Sequence, residues 1–409
     1  MRIAVTGLGL VTPFGIGKEL AWEQICDGRS GVTVVDRFVT DNLPVRFAAT
    51  INAYDAMTHG HPALLNARIA LDVAMEAIEE AEIDFSAGWP GRVFLASTPL
   101  EPRFSERVSL CPPEVNEVLD VEKALADPYR SFELYNNSYV PRELMRVFRP
   151  TEWPVMTNTA CASGGTAIAL AVEAIESGQT DLALVIGCHA AVSPEEIARF
   201  SLLHALSRRN DHPESASRPF AADRDGFVLG EGAGAMVLER ADRATARGAK
   251  IQAYLTGVGE SGDSYHRTRS HPTGRPIVEC MAAAIHAAEL LPDDIDYVNA
   301  HGTGTIENDR MEYLSLRTLF QDKLMNMPVS STKSSFGHTL SAAGVIEGVI
   351  SILAIRDQRL PPTINCTPRD PHLPLDVVPG KARSGNVRNV LSNSFGFGGQ
   401  NVCIVLSAA

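Results

Sequence analysis

The sequence predicts an α/β fold with buried sheets, and three features carry that prediction. Short apolar strands alternate with helical patterns along the 409 residues, the order that yields sheets covered by helices. The clearest helical patterns have apolar residues at helical spacing. A short motif also recurs: Val5-Thr6-Gly7-Leu8-Gly9 is echoed by Leu255-Thr256-Gly257-Val258-Gly259. No linker rich in Pro, Gly or Ser divides the chain, so one body built of two related halves is expected, 1–250 and 251–409.

The elements follow in order. Ile3 to Gly7 reads as a strand that opens the fold; it is too short and too glycine-rich for a signal sequence. Leu64 to Ala81 is a helix with Glu and Asp on its polar face. Val93 to Ala96 is a strand. Leu100 to Asn137 is Pro- and charge-rich and poorly periodic, so it reads as a surface excursion or cap. Trp153 to Met156 is a short buried strand, and Thr166 to Ser177 an Ala-rich helix suited to lying close on a sheet. Leu182 to Gly187 and Ala233 to Glu239 are strands. In the second half, Ile277 to Leu290 is a helix and Tyr297 to Ala300 a strand. Ala342 to Asp357 is a helix, and Val402 to Leu406 the last strand.

Composition narrows the function. Lys and Arg number 36 against 49 Asp and Glu, a net charge of −13. Nucleic acid is a poor partner for such a chain, because phosphate binding needs clustered cations. The seven Cys are scattered, without metal-ligand spacing, so neither a metal site nor a disulfide framework is expected, and a reducing cytoplasm fits. The most apolar stretches, Leu182 to Val192 and Ala342 to Ile355, fall short of the ~20 residues a membrane span needs.

Cys161 is the most informative residue. It lies in Thr159-Ala160-Cys161-Ala162-Ser163-Gly164-Gly165, between a strand and a helix. A helix N-terminus favours the thiolate, which is the nucleophilic form. A lone Cys is more often a buried structural residue, so three further blocks matter. His301-Gly302-Thr303-Gly304-Thr305 follows a strand and sets an imidazole and hydroxyls at a sheet edge. Ser331-Thr332-Lys333-Ser334-Ser335-Phe336-Gly337-His338 puts Lys333 and His338 on one turn, with Glu347 placed to meet Lys333. Asn393-Ser394-Phe395-Gly396-Phe397-Gly398-Gly399 precedes the last strand, and its glycines permit close backbone approach. Lys333 to His338 is expected to open the second half's central helix, as Cys161 opens the first's.

These four blocks, in this order, resemble the β-ketoacyl-acyl-carrier-protein synthases, the elongating condensing enzymes of the thiolase superfamily. Ser217-Arg218-Pro219-Phe220, Asp223 to Gly232 and Pro361 to Asn365 extend the likeness over nearly the whole chain. The resemblance implies a thiolase-like five-layered fold of two βαβαβαββ halves and an acyltransferase that needs no metal or resident cofactor. Phosphopantetheine arrives on the acyl carrier protein. By resemblance, Cys161 takes the acyl group, and neutral His301 and His338 stabilise the enolate made when malonyl-carrier-protein loses carbon dioxide. Lys333 orders the site with Glu347. Cys161 and Phe397 supply oxyanion-hole N–H groups. Phe397 is also the aromatic gate, backed by Phe395, and a loop from Asp263 to Gly274 faces it. Thr303 and Thr305 bind the pantetheine arm.

Three departures bear on subtype. Ala96-Ser97-Thr98-Pro99-Leu100-Glu101-Pro102 stands where elongating members are glycine-rich, so the acyl pocket differs. The carrier-docking segment at 60–66 is not basic, and His204 replaces an arginine; Arg208, Arg209, Arg142, Arg146 and Arg149 are the substitutes. Glu307 to Glu312 resembles polyketide-type ketosynthase subunits, which often pair with a Cys-less chain-length partner, as do aryl-polyene synthases. A homodimer and such a heterodimer both stay open. A non-catalytic chain-length subunit is disfavoured by the presence of Cys161 and both histidines. A nucleotide-binding oxidoreductase is disfavoured because Thr12 replaces the third glycine of G-x-G-x-x-G.

Overall fold

The computed structural model describes residues 2–54, 62–100 and 136–409. Most of the excursion at 100–137, and Gly60 and His61 of the expected docking segment, lie outside the described residues.

Ten strands form the principal sheet path among the described residues. They are β1 (Ile3–Thr12), β2 (Arg92–Ser97), β3 (Val155–Thr157), β4 (Leu182–His189), β5 (Gly232–Arg240), β6 (Ala253–Gly262), β7 (Tyr297–Asn299), β8 (Val329–Ser330), β9 (Asn389–Phe395) and β10 (Gln400–Ser407). The order is β8-β7-β9-β10-β6-β1-β5-β4-β2-β3. The path reads the same outward from its centre. β1 runs antiparallel to β5, β5 antiparallel to β4, and β4 and β3 parallel to β2. β6, β10, β9, β7 and β8 repeat those directions. The halves join where Ile3–Val5 pairs with Ala253–Leu255.

Helices make the other layers. Pro62–Glu80 covers β1, β5 and β4 from outside, and Arg275–Ala287 covers β6, β10 and β9 in the same way. Ser163–Glu176 and Ala343–Asp357 lie in the middle and touch strands of both halves and each other. Each half reads βαβαβαββ, and together they form the expected five layers. The Ala-, Ile- and Val-rich core around the two central helices is continuous with the strands of both halves.

The sequence echo has a physical cause. A Cβ on Gly7 or Gly9 would collide with the carbonyls of Ala77 and Val73, and one on Gly257 or Gly259 with those of Ala284 and Cys280. Each Gly-x-Gly marks where an outer helix lies directly on its strand.

One reading needs correction, and two elements go beyond those expected. The turn matching Cys161's is Leu340–Ala342, not Lys333 to His338, which forms its own four-residue helix ending at His338's neighbour Gly337. The correspondence extends to the backbone, since Ala160 and Leu340 adopt left-handed φ of 50° and 44°. The echoed segment is itself a strand, Ala253–Gly262. The helix Ile306–Phe320 was not among the expected elements; two of its charged residues, Asp309 and Glu312, are buried.

Candidate active site

Cys161 sits on a 3-10 turn, Ala160–Ala162, that runs into the helix Ser163–Glu176. The left-handed Ala160 costs on the order of 1–3 kcal/mol unless its surroundings hold it. Ser163 does so: its Oγ donates to the Ala160 carbonyl at 2.6 Å and accepts the Thr159 N–H at 2.9 Å. Gly164 and Gly165 let this helix start against Gly344 and Val402, since a side chain at either would clash there. The thiol is 7 % exposed. Burial pushes it up to about 11, against the pull of Lys333 and of the Phe397 and Cys161 backbone N–H groups that donate to it. This corrects the expectation of a thiolate: at this depth desolvation outweighs the helix terminus.

His301 follows β7. Its own N–H and that of Gly302 donate to the buried Glu312 carboxylate, each at 2.8 Å. Asn393 donates to the same carboxylate at 3.0 Å. The Asp309 carboxylate fixes the next turn by accepting the Gly304 and Phe220 N–H groups. These buried acids are the scaffold of the His-Gly-Thr-Gly-Thr loop. Sequence reading used them only as a subtype mark, although their spacing of three on one helix face was visible.

Lys333 is 1 % exposed and pairs with Glu347 Oε1. Its Nζ also lies 3.4 Å from His301 Nδ1. A lysine ammonium has only donors, so Nδ1 accepts and the His301 proton resides on Nε2. Burial first, then the Lys333 charge and the neighbouring imidazole, hold His301 well below its ordinary value. Burial and Lys333 do the same for His338. Both rings are therefore neutral near pH 7. They meet edge to face at a centroid distance of 5.3 Å, with Phe395 5.6 Å from His301 and Phe227 5.3 Å from His338. Neither His338 side-chain nitrogen has a hydrogen-bond partner among the described residues. Glu347, desolvated, is raised to about 7 despite Lys333.

Cys161, His301, His338, Phe395, Phe397, Thr303 and Thr305 all line one pocket of about 420 Å³. Thr303 and Thr305 share a hydrogen bond of 2.9 Å. The Phe397 loop is clasped to the start of the 263–274 loop. Asp263 N–H donates to the Gly399 carbonyl at 2.7 Å, and Gly398 N–H to the Arg267 carbonyl at 2.8 Å.

The basic residues divide. Arg142, Arg146 and Arg149 lie on or just past the helix Tyr139–Phe148, which packs on Pro62–Glu80; none lines the pocket. Arg209 is tied to Asp223 at 2.9 Å and to Asp225 at 3.6 Å. Arg208 is exposed, and His204 stands at the rim. His266, Arg267 and Arg269 also line the rim and are exposed. They had escaped notice, though no acid occurs from Tyr265 to Val278. No helix among the described residues is long and apolar enough to cross a membrane, and no cluster suited to a metal occurs among them.

Known proteins resemble this chain over nearly its full length. The family described as Beta-ketoacyl synthase, N-terminal domain, matches residues 1–244, and its C-terminal domain matches residues 252–367. A 3-oxoacyl-[acyl-carrier-protein] synthase 2 from Coxiella burnetii is 35% identical, covering 99% of this chain and 98% of its own. A putative polyketide beta-ketoacyl synthase 1 from Streptomyces cyaneus is 36% identical over the same shares. Among solved structures, a type II polyketide ketosynthase in complex with its acyl-carrier protein superposes with a TM-score of 0.89 at 29% identity, covering 100% of this chain and 99% of that one. The ishigamide ketosynthase/chain length factor gives a TM-score of 0.85, also at 29% identity and the same shares. With its thiolase-like fold and these motifs in place, the chain belongs to the β-ketoacyl synthase family.

Proposed function

We propose that the chain is a β-ketoacyl-acyl-carrier-protein synthase that carries its acyl group on Cys161 and extends it by decarboxylative condensation. The observation that carries this is convergence. One buried thiol, two buried neutral imidazoles and two backbone N–H groups meet in a single pocket.

In the first half-reaction Cys161 Sγ attacks the carrier-bound thioester. The negative oxygen of the tetrahedral adduct is held by the Cys161 and Phe397 N–H groups. The carbon–sulfur bond to pantetheine breaks, and the proton lost by Cys161 ends on the departing pantetheine sulfur. In the second, the malonyl group loses carbon dioxide, and its bonding pair moves onto the thioester as an enolate. His301 Nε2–H and a His338 N–H donate to that oxygen. Neutral donors suit this step, since an imidazolium would tend to protonate the enolate. The enolate carbon then attacks the acyl-Cys161 carbonyl, and the Cys161 sulfur leaves and regains a proton. Lys333 acts as a positioning residue through His301 Nδ1. Thr303 and Thr305 hold the pantetheine arm, and Phe397, backed by Phe395, gates the two half-reactions.

The acidic carrier protein docks at the pocket rim. Arg267 and Arg269 are exposed cations there, and complementary charge steers encounter despite the net −13. β3 ends the sheet path with one edge unpaired among the described residues, a template for pairing with a second subunit. Pathway assignment follows the partner: a homodimer for fatty-acid elongation, or a heterodimer with a Cys-less subunit for a polyketide or polyene. Incubation with acyl- and malonyl-carrier-protein, alone and with a candidate partner, tests the proposal. A β-ketoacyl product two carbons longer, with one carbon dioxide released, is expected; no product under either condition refutes it.

A further inference from the structure

The pocket mouth carries two arginines that no described residue engages. Arg267 and Arg269 line the pocket that holds Cys161, and both are exposed. Neither guanidinium has a hydrogen-bond or ion-pair partner among the described residues. The carboxylates of the same lining are each committed elsewhere. Asp263 accepts the Tyr265 N–H at 2.9 Å and the His271 N–H at 2.7 Å. Asp225 accepts the Arg208 N–H at 3.1 Å and lies 3.6 Å from Arg209. Glu307 pairs with Arg310 at 3.2 Å. The uncommitted charge at the mouth is therefore positive, on a chain whose net charge is −13.

The segment that presents these arginines is held in place. The Arg267 carbonyl accepts the Gly398 N–H at 2.8 Å, which ties it to the Phe397 loop. Asp263, 6 % exposed, closes the segment on itself through Tyr265 and His271. Between the two arginines, the Thr268 N–H donates to His266 Nδ1 at 3.1 Å. Cations on a fixed frame lose less freedom when they grip an anion.

Burial orders the pocket from floor to mouth. Cys161 is 7 % exposed and Thr303 is buried. Thr305 is half-buried, and Arg267 and Arg269 are exposed. A phosphopantetheine arm has a matching order, with the thioester at one end, amides along its length and a phosphate at the other end. With the thioester at Cys161 and the amides beside Thr303 and Thr305, the phosphate comes out at the mouth. A guanidinium forks onto phosphate oxygens through charge-assisted hydrogen bonds, which are stronger than those of a neutral donor.

We infer that Arg267 and Arg269 form a phosphate subsite, which grips the phosphodiester joining the pantetheine arm to its carrier. That anion is read at the mouth independently of the carrier's own acidic side chains. The inference deepens, and rests on, the reading of Cys161 as the residue acylated from the carrier.

The test compares Cys161 acylation by thioesters of one acyl group on pantetheine, on phosphopantetheine and on the carrier protein. The wild type is expected to favour phosphopantetheine over pantetheine by roughly tenfold or more in kcat/KM, the weight that hydrogen bonds to charged groups carry. Replacing both residues, Arg267→Ser with Arg269→Ser, should bring that ratio close to one. Arg267→Lys with Arg269→Lys should keep part of it. Each ratio is taken within one protein sample, so a change in active fraction cancels. A wild type that treats the two carrier-free thioesters alike overturns the inference, as does one acylated by the carrier but not by phosphopantetheine. A ratio unchanged in the double serine variant also overturns it, even where carrier-dependent acylation falls, since the arginines then answer the carrier's acids. Failure of the carrier-bound thioester to acylate Cys161 overturns the underlying functional reading, and the inference with it.

Discussion

Replacing His338 with Leu should stabilise the protein while disabling it. In the resting structure His338 is buried, and neither ring nitrogen has a partner among the described residues. An unsatisfied buried polar group costs about 1–3 kcal/mol. Leucine removes that cost and keeps apolar contact with the Phe227 ring, whose centroid lies 5.3 Å from that of His338. Unfolding entropy of about 2.1 cal/mol/K per residue, over 409 residues, converts a gain of 1–3 kcal/mol into a rise of about 1–3.5 °C in Tm. The same change deletes an oxyanion donor, worth about 2.7–4 kcal/mol, or a factor of ~10²–10³ in rate. Calorimetry gives the first quantity, and carbon dioxide release from malonyl-carrier-protein the second. A lowered Tm would show that His338 is held by contacts rather than reserved for a ligand. Unchanged decarboxylation would remove it from the chemistry.

The remaining predictions are independent of that one. Decarboxylation should show no acid limb as pH falls through 6.5, because both histidines are held well below that value and stay neutral; a limb near 6.5 abolished by His301→Ala would contradict this. Lys333→Met leaves Glu347 buried without its partner, a loss of about 3–5 kcal/mol when the carboxylate is charged. Glu347 is already raised to about 7 with Lys333 present. Its folded value exceeds the unfolded one, so the deficit should be small near pH 4.5 and grow as pH rises past 7; a deficit equal at both ends in denaturant titrations would refute the pairing. Phe397→Ala should unbalance the half-reactions without unfolding the protein. Single-turnover rates of acylation and condensation that fall in equal proportion would show no gating role.

Much of this was legible because the chemistry leaves dense local marks. The glycine and small-residue blocks around Cys161, His301, Lys333 and Phe397 each sit on a turn with little steric freedom, and all four reach one pocket. The Gly-x-Gly echo was legible for the same reason: only glycine fits beneath Ala77 and Ala284. What escaped depends on burial, which sequence conceals. Asp309 and Glu312 served in sequence only as a subtype mark; the helix Ile306–Phe320 turns them inward to carry the His301 loop. Trp153 to Met156 began the strand Val155–Thr157 two residues early and ended it one residue early, since one short edge strand carries little periodicity. Cys161's expected thiolate failed on depth, because a helix terminus is visible in sequence and desolvation is not. The rim cations Arg267 and Arg269 were visible as a basic run but could be placed only by the clasp between Asp263 and Gly399.

The central claim is that Cys161 alone carries the acyl group, and intact-protein mass spectrometry tests it most directly. After incubation with acyl-carrier-protein, the wild type should gain one acyl mass, mapped by peptide fragmentation to Cys161. Cys161→Ala, with an unchanged melting curve, should gain none. An adduct of that mass persisting on Cys161→Ala, or mapping in the wild type to Cys188 or another cysteine, would contradict the account.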